Sequence, residues 1–332
     1  MTPRERFVCA LNFEKPDDRL PMVEWVGWWD KTFDRWTAEG LRGDLTMNES
    51  LEYFGLDNLT MIAARGISGQ LPRSPVNASA LITDEDSYER IRPFLFGDES
   101  IVSMVKAALD LKAQHDAGEV IVRLWLDGFF WFPRELFGIE GHFFAFYDCP
   151  ELMHRINSEL ADFNIRAIEA LLPIFEPDMV GMGEDMSYNH GPMLSYELFR
   201  EFLLPYYKRL IPSITGHGVK VLIDSDGDIT PMIPWMEEAG IEGVYPLERQ
   251  AGVDIVRIRE EYPAFLMMGG YDKMVMPHGE KSMRAEFERI FPVMKSGGYI
   301  PSVDHQTPPG VSLENYKIYM RLFREYCEKA VG

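Results

Sequence analysis

The 332-residue sequence predicts an α/β fold and, within that class, a single (β/α)8 TIM barrel. Three observations lead there. Short apolar runs of strand length alternate with longer segments of helical apolar spacing. Eight strands can be marked in this way, and all but one end on or beside an ionisable residue, where a barrel of this kind carries its chemistry. The competing topology is a doubly wound open sheet, but no glycine-rich dinucleotide turn follows the first strand. One domain spanning 1–332 is expected, because a barrel needs roughly 250 residues and the surplus gathers in an excursion over about 63–118.

Thr2 as N-cap, Pro3 at the first helical position and Glu5 at the third form a capping box that starts a helix ending near Leu11. Leu20–Trp25 reads as the first strand and Asp57–Ile62, after the stop at Gly55, as the second. The excursion is irregular around Pro72, Pro75 and Pro93 and then turns helical from Ser100 to His115. Val120–Leu126 is the third strand, ending at Asp127, and Leu152, Ile156, Leu160 and Phe163 set one face of the helix Glu151–Phe175. Met179–Met182 ends at Glu184 and Asp185. A helix capped by Ser195 leads through Leu198, Phe202 and Tyr206 to Gly216. Val219–Ile223 ends at Asp224 and Asp226, and Thr230-Pro231 opens a helix that Gly240 stops. Gly243–Leu247 ends at Glu248, Phe265–Met268 runs into Tyr271, Asp272 and Lys273, and a helix follows over Glu280–Lys295. Tyr299–Val303 is the eighth strand, ending at Asp304 and His305.

A formal net charge of −20 argues against nucleic acid and anionic membrane surfaces as partners, since both are bound through Lys and Arg. No run of about 18 apolar residues suggests a membrane span, and the charged stretch Met1–Arg6 does not read as a signal peptide. Cytoplasmic residence is expected. Cys9, Cys149 and Cys327 are scattered and lack any CxxC pairing, so free thiols are expected.

The candidate site is the ring of strand ends. Glu24, Asp127, Glu184, Asp224, Glu248, Asp272 and His305 fall there, while Asp57 lies at the start of its strand. Any one such acid is as readily a loop or cap residue. Together at one mouth they would raise one another's pKa unless a metal ion or a cation sits among them. Arg123 and Lys273 are the candidate cations. Glu24, Trp25, Arg123, Asp127, Glu248, Tyr271 and Lys273 are expected to line a small-molecule substrate. Phe129, Phe130, Trp131 and Phe132 are read as core or oligomer packing, which leaves a homodimer open, with a pocket wall as the alternative. His115, His142, His154, His190, His217 and His278 are read as structural or solvated.

Several segments carry a family resemblance: Arg4-Glu5-Arg6, Pro16-Asp17-Asp18-Arg19-Leu20-Pro21, Gly183-Glu184-Asp185, Pro192-Met193-Leu194-Ser195, Phe199-Arg200-Glu201-Phe202, Gly227-Asp228-Ile229 and Gly297-Gly298-Tyr299-Ile300-Pro301-Ser302. They resemble the uroporphyrinogen decarboxylase superfamily, which implies a (β/α)8 barrel and two chemistries: cofactor-free porphyrinogen decarboxylation, and metal-dependent methyl transfer involving a corrinoid protein. The decarboxylases carry Arg-Gln-Ala-Gly-Arg after strand one, where this chain has Trp25-Val26-Gly27-Trp28-Trp29-Asp30. A substrate with eight carboxylates needs such guanidinium forks. The methyltransferase branch binds zinc through a His-x-Cys pair after strand five and a Cys after strand eight, and those positions resemble Asp224, Asp226 and His305 here.

The resemblance therefore implies methyl transfer from a small methylated substrate to a separate corrinoid protein. A divalent metal, zinc foremost, would act as Lewis acid near Asp224, Asp226 and His305. These harder ligands also admit manganese, iron or magnesium. Asp224 counts among the catalytic groups, and Glu184 or Asp185 would carry a proton or add a ligand. The alternatives are a carboxy-lyase acting on a porphyrinogen or smaller acid, and a non-catalytic barrel that binds a small ligand.

Overall fold

The computed structural model describes residues 1–71 and 80–332. Pro72 and Pro75 of the expected excursion lie outside the described residues. The strands are β1 (Asn58–Ala64), β2 (Val120–Asp127), β3 (Met179–Gly183), the short β4 (Ser187–Tyr188) and β5 (Gly191–Pro192), then β6 (Lys220–Asp224), β7 (Gly243–Tyr245), β8 (Leu266–Tyr271) and β9 (Tyr299–Val303). Seven of them form one parallel sheet in the order β1-β2-β3-β6-β7-β8-β9, and β4 pairs antiparallel with β5 as a hairpin. Helices separate the sheet strands, as parallel pairing demands.

The two faces of the sheet differ in chemistry. Val122, Leu124 and Leu126 on β2, Val180 and Met182 on β3, Val221 and Ile223 on β6, and Val244 on β7 are fully buried on one face. Pairing in register places Arg123, Gly181, Leu222 and Asp224, Tyr245, Met268 and Ser302 on the other. That second face is concave. The Arg123 guanidinium lies 5.3 Å from the Tyr245 ring centroid although β3 and β6 separate their strands, and Tyr245 in turn meets Trp25 at 5.6 Å between ring centroids. Side chains of non-neighbouring strands can meet only across the hollow of a curled sheet.

The sequence reading differs from the structure at the first strand. Leu20–Trp25 forms no ladder, and the described sheet has seven parallel strands where eight were expected. The segment nonetheless touches both sheet edges. Asp57 N–H donates to the Met22 carbonyl at 2.7 Å beside β1, and Trp25 N–H donates to Ser302 Oγ at 3.2 Å on β9. Pro21 has no N–H to donate, and the Asp57 carboxylate takes the Met22 N–H at 2.9 Å, so side chains satisfy groups that a ladder would have used.

Most other elements match their local signals. The capping box at Thr2 and Glu5 forms, and Gly240 stops the helix Ile233–Ala239 in the left-handed conformation. The helix expected from Ser195 to Gly216 is three pieces, Tyr196–Phe202, Leu204–Leu210 and Pro212–Thr215. Pro205 and Pro212 sit at the starts of the later two, where their missing N–H groups do least harm. Among the described residues no helix is long and apolar enough to cross a membrane.

Candidate active site

The tips of β3, β6, β7 and β9 converge at one mouth. After β6 the chain turns sharply at Gly227, which has φ +84° and sits so close to the β4 backbone that a Cβ there would lie 2.6 Å from Tyr188. Asp228 N–H donates to the Tyr188 carbonyl at 2.9 Å, so the hairpin β4–β5 clasps this turn and fixes Asp226. Gly227 N–H donates to Glu248 Oε2 at 3.0 Å, bringing the acid after β7 alongside. Asp185 adopts φ +41°, an uncommon conformation for a side-chain-bearing residue. Its carbonyl accepts from Arg134 Nη1 at 3.1 Å, and its Oδ1 accepts the Asp226 N–H at 3.2 Å.

Two overlapping clusters result. Asp226, Glu248 and His305 offer ligand atoms within 4.8 Å of one another, and so do Asp185, Asp224 and Asp226. His305 Nε2 lies 3.7 Å from Asp226 Oδ2, and Trp25 packs edge-on against the imidazole at 5.9 Å. Burial, and then the charges of Asp185 and Glu248, push the Asp226 carboxyl up to about 7. Burial and the Asp185 charge raise Asp224 well above the ordinary carboxylate range, against the opposing pull of Arg123. Asp185 is also raised, chiefly by burial. Burial lowers His305, which keeps its ring neutral and a nitrogen lone pair free near neutral pH. This donor set, two carboxylates with a neutral imidazole, fits a first-row divalent cation, which would also relieve the crowding of like charges.

The structure brings Trp25, Arg123, Asp185, Asp224, Asp226, Glu248 and His305 to this mouth. Glu248, read from sequence as a substrate contact, groups with Asp226 and His305 in the first cluster. Lys273 stands beside them, with Nζ 3.2 Å from Asp304 Oδ1 and 2.6 Å from Gln250 Oε1, and its charge opposes the upward shift of Asp226.

Other expected site residues are occupied elsewhere. Glu184 is wholly buried and accepts the N–H groups of Phe129 (2.8 Å), Phe130 (2.7 Å) and Trp131 (3.2 Å) as well as the Tyr207 hydroxyl. It anchors the start of the helix Trp131–Asp148 and is in neither cluster, and burial pushes its carboxyl up to about 7. Asp127 pairs with Arg65 Nε at 2.7 Å and accepts the Gly66 N–H at 2.7 Å, which ties the start of the excursion to β2. Glu24 accepts from Tyr316 Oη at 2.9 Å and Ser302 Oγ at 3.1 Å, inside the protein. Tyr271 points to the helix side of β8, packed on Phe287 and Tyr319, and Asp272 caps Met274 N–H at 2.8 Å. Phe129, Phe130 and Phe132 are fully buried core residues.

Three residues of the mouth were not among the expected site residues, although Asp304 was read as a strand-end acid. Asp304 is fully buried and accepts Arg249 N–H, Lys273 N–H and Lys273 Nζ, fixing the loops after β7 and β8. Arg134 holds the Asp185 carbonyl and lies 4.8 Å from the Trp131 ring. Tyr245 spans the concave face, and its alternation with Gly243 along β7 was the available signal.

The model of the uroporphyrinogen decarboxylase (URO-D) family matches residues 74–326, most of the chain and every strand of the mouth. The chain belongs to the uroporphyrinogen decarboxylase family. Among solved structures, this family member is similar to a methyltransferase from Methanosarcina mazei, with 15% identity, 98% of each chain covered and a TM-score of 0.65, a likeness of fold. A β-glycosidase from Thermosphaera aggregans covers 82% of each chain at 10% identity, but its TM-score of 0.43 carries no argument. No curated protein matches the sequence.

Proposed function

We propose that this family member is a metal-dependent methyltransferase that moves a methyl group from a small methylated substrate to a corrinoid carried by a separate protein. The supporting observation is the carboxylate–imidazole cluster of Asp226, Glu248 and His305 at the tips of β6, β7 and β9. The structural neighbour from Methanosarcina mazei is a methyltransferase, which supports the same reading. The reading takes the sheet as a closed barrel, with the extended Leu20–Trp25 segment in the eighth position between β9 and β1.

Asp226, Glu248 and His305 would hold the ion, and zinc, manganese or iron would each suit them. When bound, such an ion supplies Lewis acidity toward a substrate heteroatom. The remaining work falls to side chains. Trp25 and Tyr245 wall the mouth and exclude water from the transfer. In this transfer the methyl would pass as a cation equivalent from its heteroatom to the reduced corrinoid acceptor, and the heteroatom would take up one proton. Burial and the Asp185 charge shift the Asp224 carboxyl toward its protonated form, and this reading assigns it as the donor.

The test is a transfer assay on metal-loaded protein with free cob(I)alamin and a panel of methylated thiols, amines and aryl ethers. Conversion to methylcobalamin with stoichiometric demethylated product is the expected result for at least one class. Decarboxylation of uroporphyrinogen to coproporphyrinogen at ordinary enzymic rates, with no cobalamin methylation, would replace this reading with the carboxy-lyase one.

A further inference from the structure

Deeper in the concave face than the carboxylate cluster lies a guanidinium that makes no ion pair with a carboxylate among the described residues, although its charge is felt by Asp224. Arg123 is 7% exposed, and its Nε and Nη1 are buried without a hydrogen-bond partner among the described residues. Its Nη2 reaches only the Met61 thioether, with Sδ at 3.7 Å, a weak acceptor on a flexible side chain. An unpaired buried charge of this kind is costly and is not kept for stability alone.

The surroundings hold this group in one pose. Its stem rises past Gly181, where its Cδ lies 3.3 Å from the place a Cβ would take, and its plane is flanked by the rings of Tyr245 (5.3 Å) and Trp125 (6.0 Å). Rings against the guanidinium fix its orientation and leave its in-plane edge as the binding surface. The Tyr245 hydroxyl and the Trp25 indole N–H, on the same concave wall, are likewise buried without a hydrogen-bond partner among the described residues. This part of the concave face is rich in donors and poor in acceptors, opposite in character to the acidic cluster at the strand tips.

We propose that Arg123, with Tyr245, forms a carboxylate-binding subsite at the floor of the mouth, so that the substrate is a small monocarboxylic acid whose reacting end lies at the Asp226–Glu248–His305 cluster. A planar carboxylate matches the guanidinium fork with two parallel hydrogen bonds. A dianion such as phosphate would have to pass Asp185, Asp226 and Glu248, and their charges disfavour it more strongly. Met61, half exposed and in register with Arg123 on the neighbouring strand β1, is the cover that the carboxylate displaces. The inference rests on the methyltransferase reading only in taking the same mouth as the substrate site.

The experiment titrates the full chain, dialysed against EDTA, with sodium acetate at constant ionic strength set by chloride, and reads the fluorescence of the neighbouring Trp25 and Trp125. Acetate should give a saturable change in wild type, at least 10-fold weaker in Arg123→Gln and Arg123→Lys, because lysine keeps the charge but not the fork. Met61→Ala, which leaves the arginine untouched, should bind about 3-fold tighter. Absence of saturation in wild type, equal affinity in the Arg123→Lys protein, weaker binding in Met61→Ala, or phosphate binding more tightly than acetate would each overturn the subsite. No metal and no methyl donor enter the titration, so its outcome is independent of the cob(I)alamin assay.

Discussion

Replacing Glu184 separates an anchoring role from a catalytic one. In Glu184→Ala three backbone N–H groups, those of Phe129, Phe130 and Trp131, and the Tyr207 hydroxyl lose their common acceptor inside the protein. A buried donor left unsatisfied costs about 1–3 kcal/mol. Four such groups at the low end give about 4 kcal/mol, and removing the cost of burying the carboxyl itself offsets part of it. A net loss of about 2–4 kcal/mol is expected. At about 2 °C per kcal/mol for a chain of this size, the Tm falls by roughly 4–8 °C. Urea unfolding and a thermal melt, both followed by circular dichroism at pH 7, measure it. Glu184→Gln should fall in between, since an amide retains one acceptor oxygen but turns an NH2 toward the remaining donors. If Glu184→Ala were as stable as wild type yet lost all activity, the anchoring role would be refuted and Glu184 would return to the chemistry.

Glu24 has its folded pKa raised to about 7 by burial, from an ordinary value of 4.5, so its contribution to stability is fully present below pH 4.5 and is lost as pH rises through 7. Against Glu24→Gln, which does not titrate, wild type should lose on the order of 3 kcal/mol of relative stability between pH 4.5 and 8, measured by paired urea titrations; a pH-independent difference would show that the carboxyl is not desolvated. Gly227→Ala forces a Cβ to within 2.6 Å of the Tyr188 backbone at φ +84°, so the turn after β6 must shift. It should lower metal occupancy and Tm together, and unchanged metal content would show that the turn does not set the position of Asp226.

The sheet was legible wherever strand chemistry was local. β2, β3, β6 and β9 lie within a residue or two of their apolar runs, because Val, Ile, Leu and Met in short blocks bounded by Gly, Pro and Asp suit a strand buried on both faces. Leu20–Trp25 has the same composition, but Pro21 and the side chains of Asp57 and Ser302 alter its backbone pairing, and those partners are distant in sequence. Asp226 and His305 fall at strand ends in the sequence and were marked as metal ligands through the family resemblance, and the structure sets them 3.7 Å apart. Glu184 and Asp226 look alike in sequence, each an acid just past a strand. Their difference lies in what approaches them: the N–H groups that claim Glu184 come from a segment 53–55 residues earlier. Tyr271 was misplaced for a simpler reason, since the register that puts Met268 and Gly270 inward turns it outward.

Metal analysis of the purified chain tests the Asp226–Glu248–His305 site most directly. Protein saturated with zinc or manganese and then dialysed should retain one divalent ion per chain in wild type and in His217→Ala, whose histidine is exposed and remote from the cluster. Glu248→Ala and His305→Ala should each lose most of that ion, and Asp226→Cys should favour zinc over manganese by supplying a softer donor. Equal metal content in wild type, Glu248→Ala and His305→Ala, or none in any of them, would mean that these side chains form an ordinary hydrogen-bonded network and that the methyl-transfer reading has lost its support.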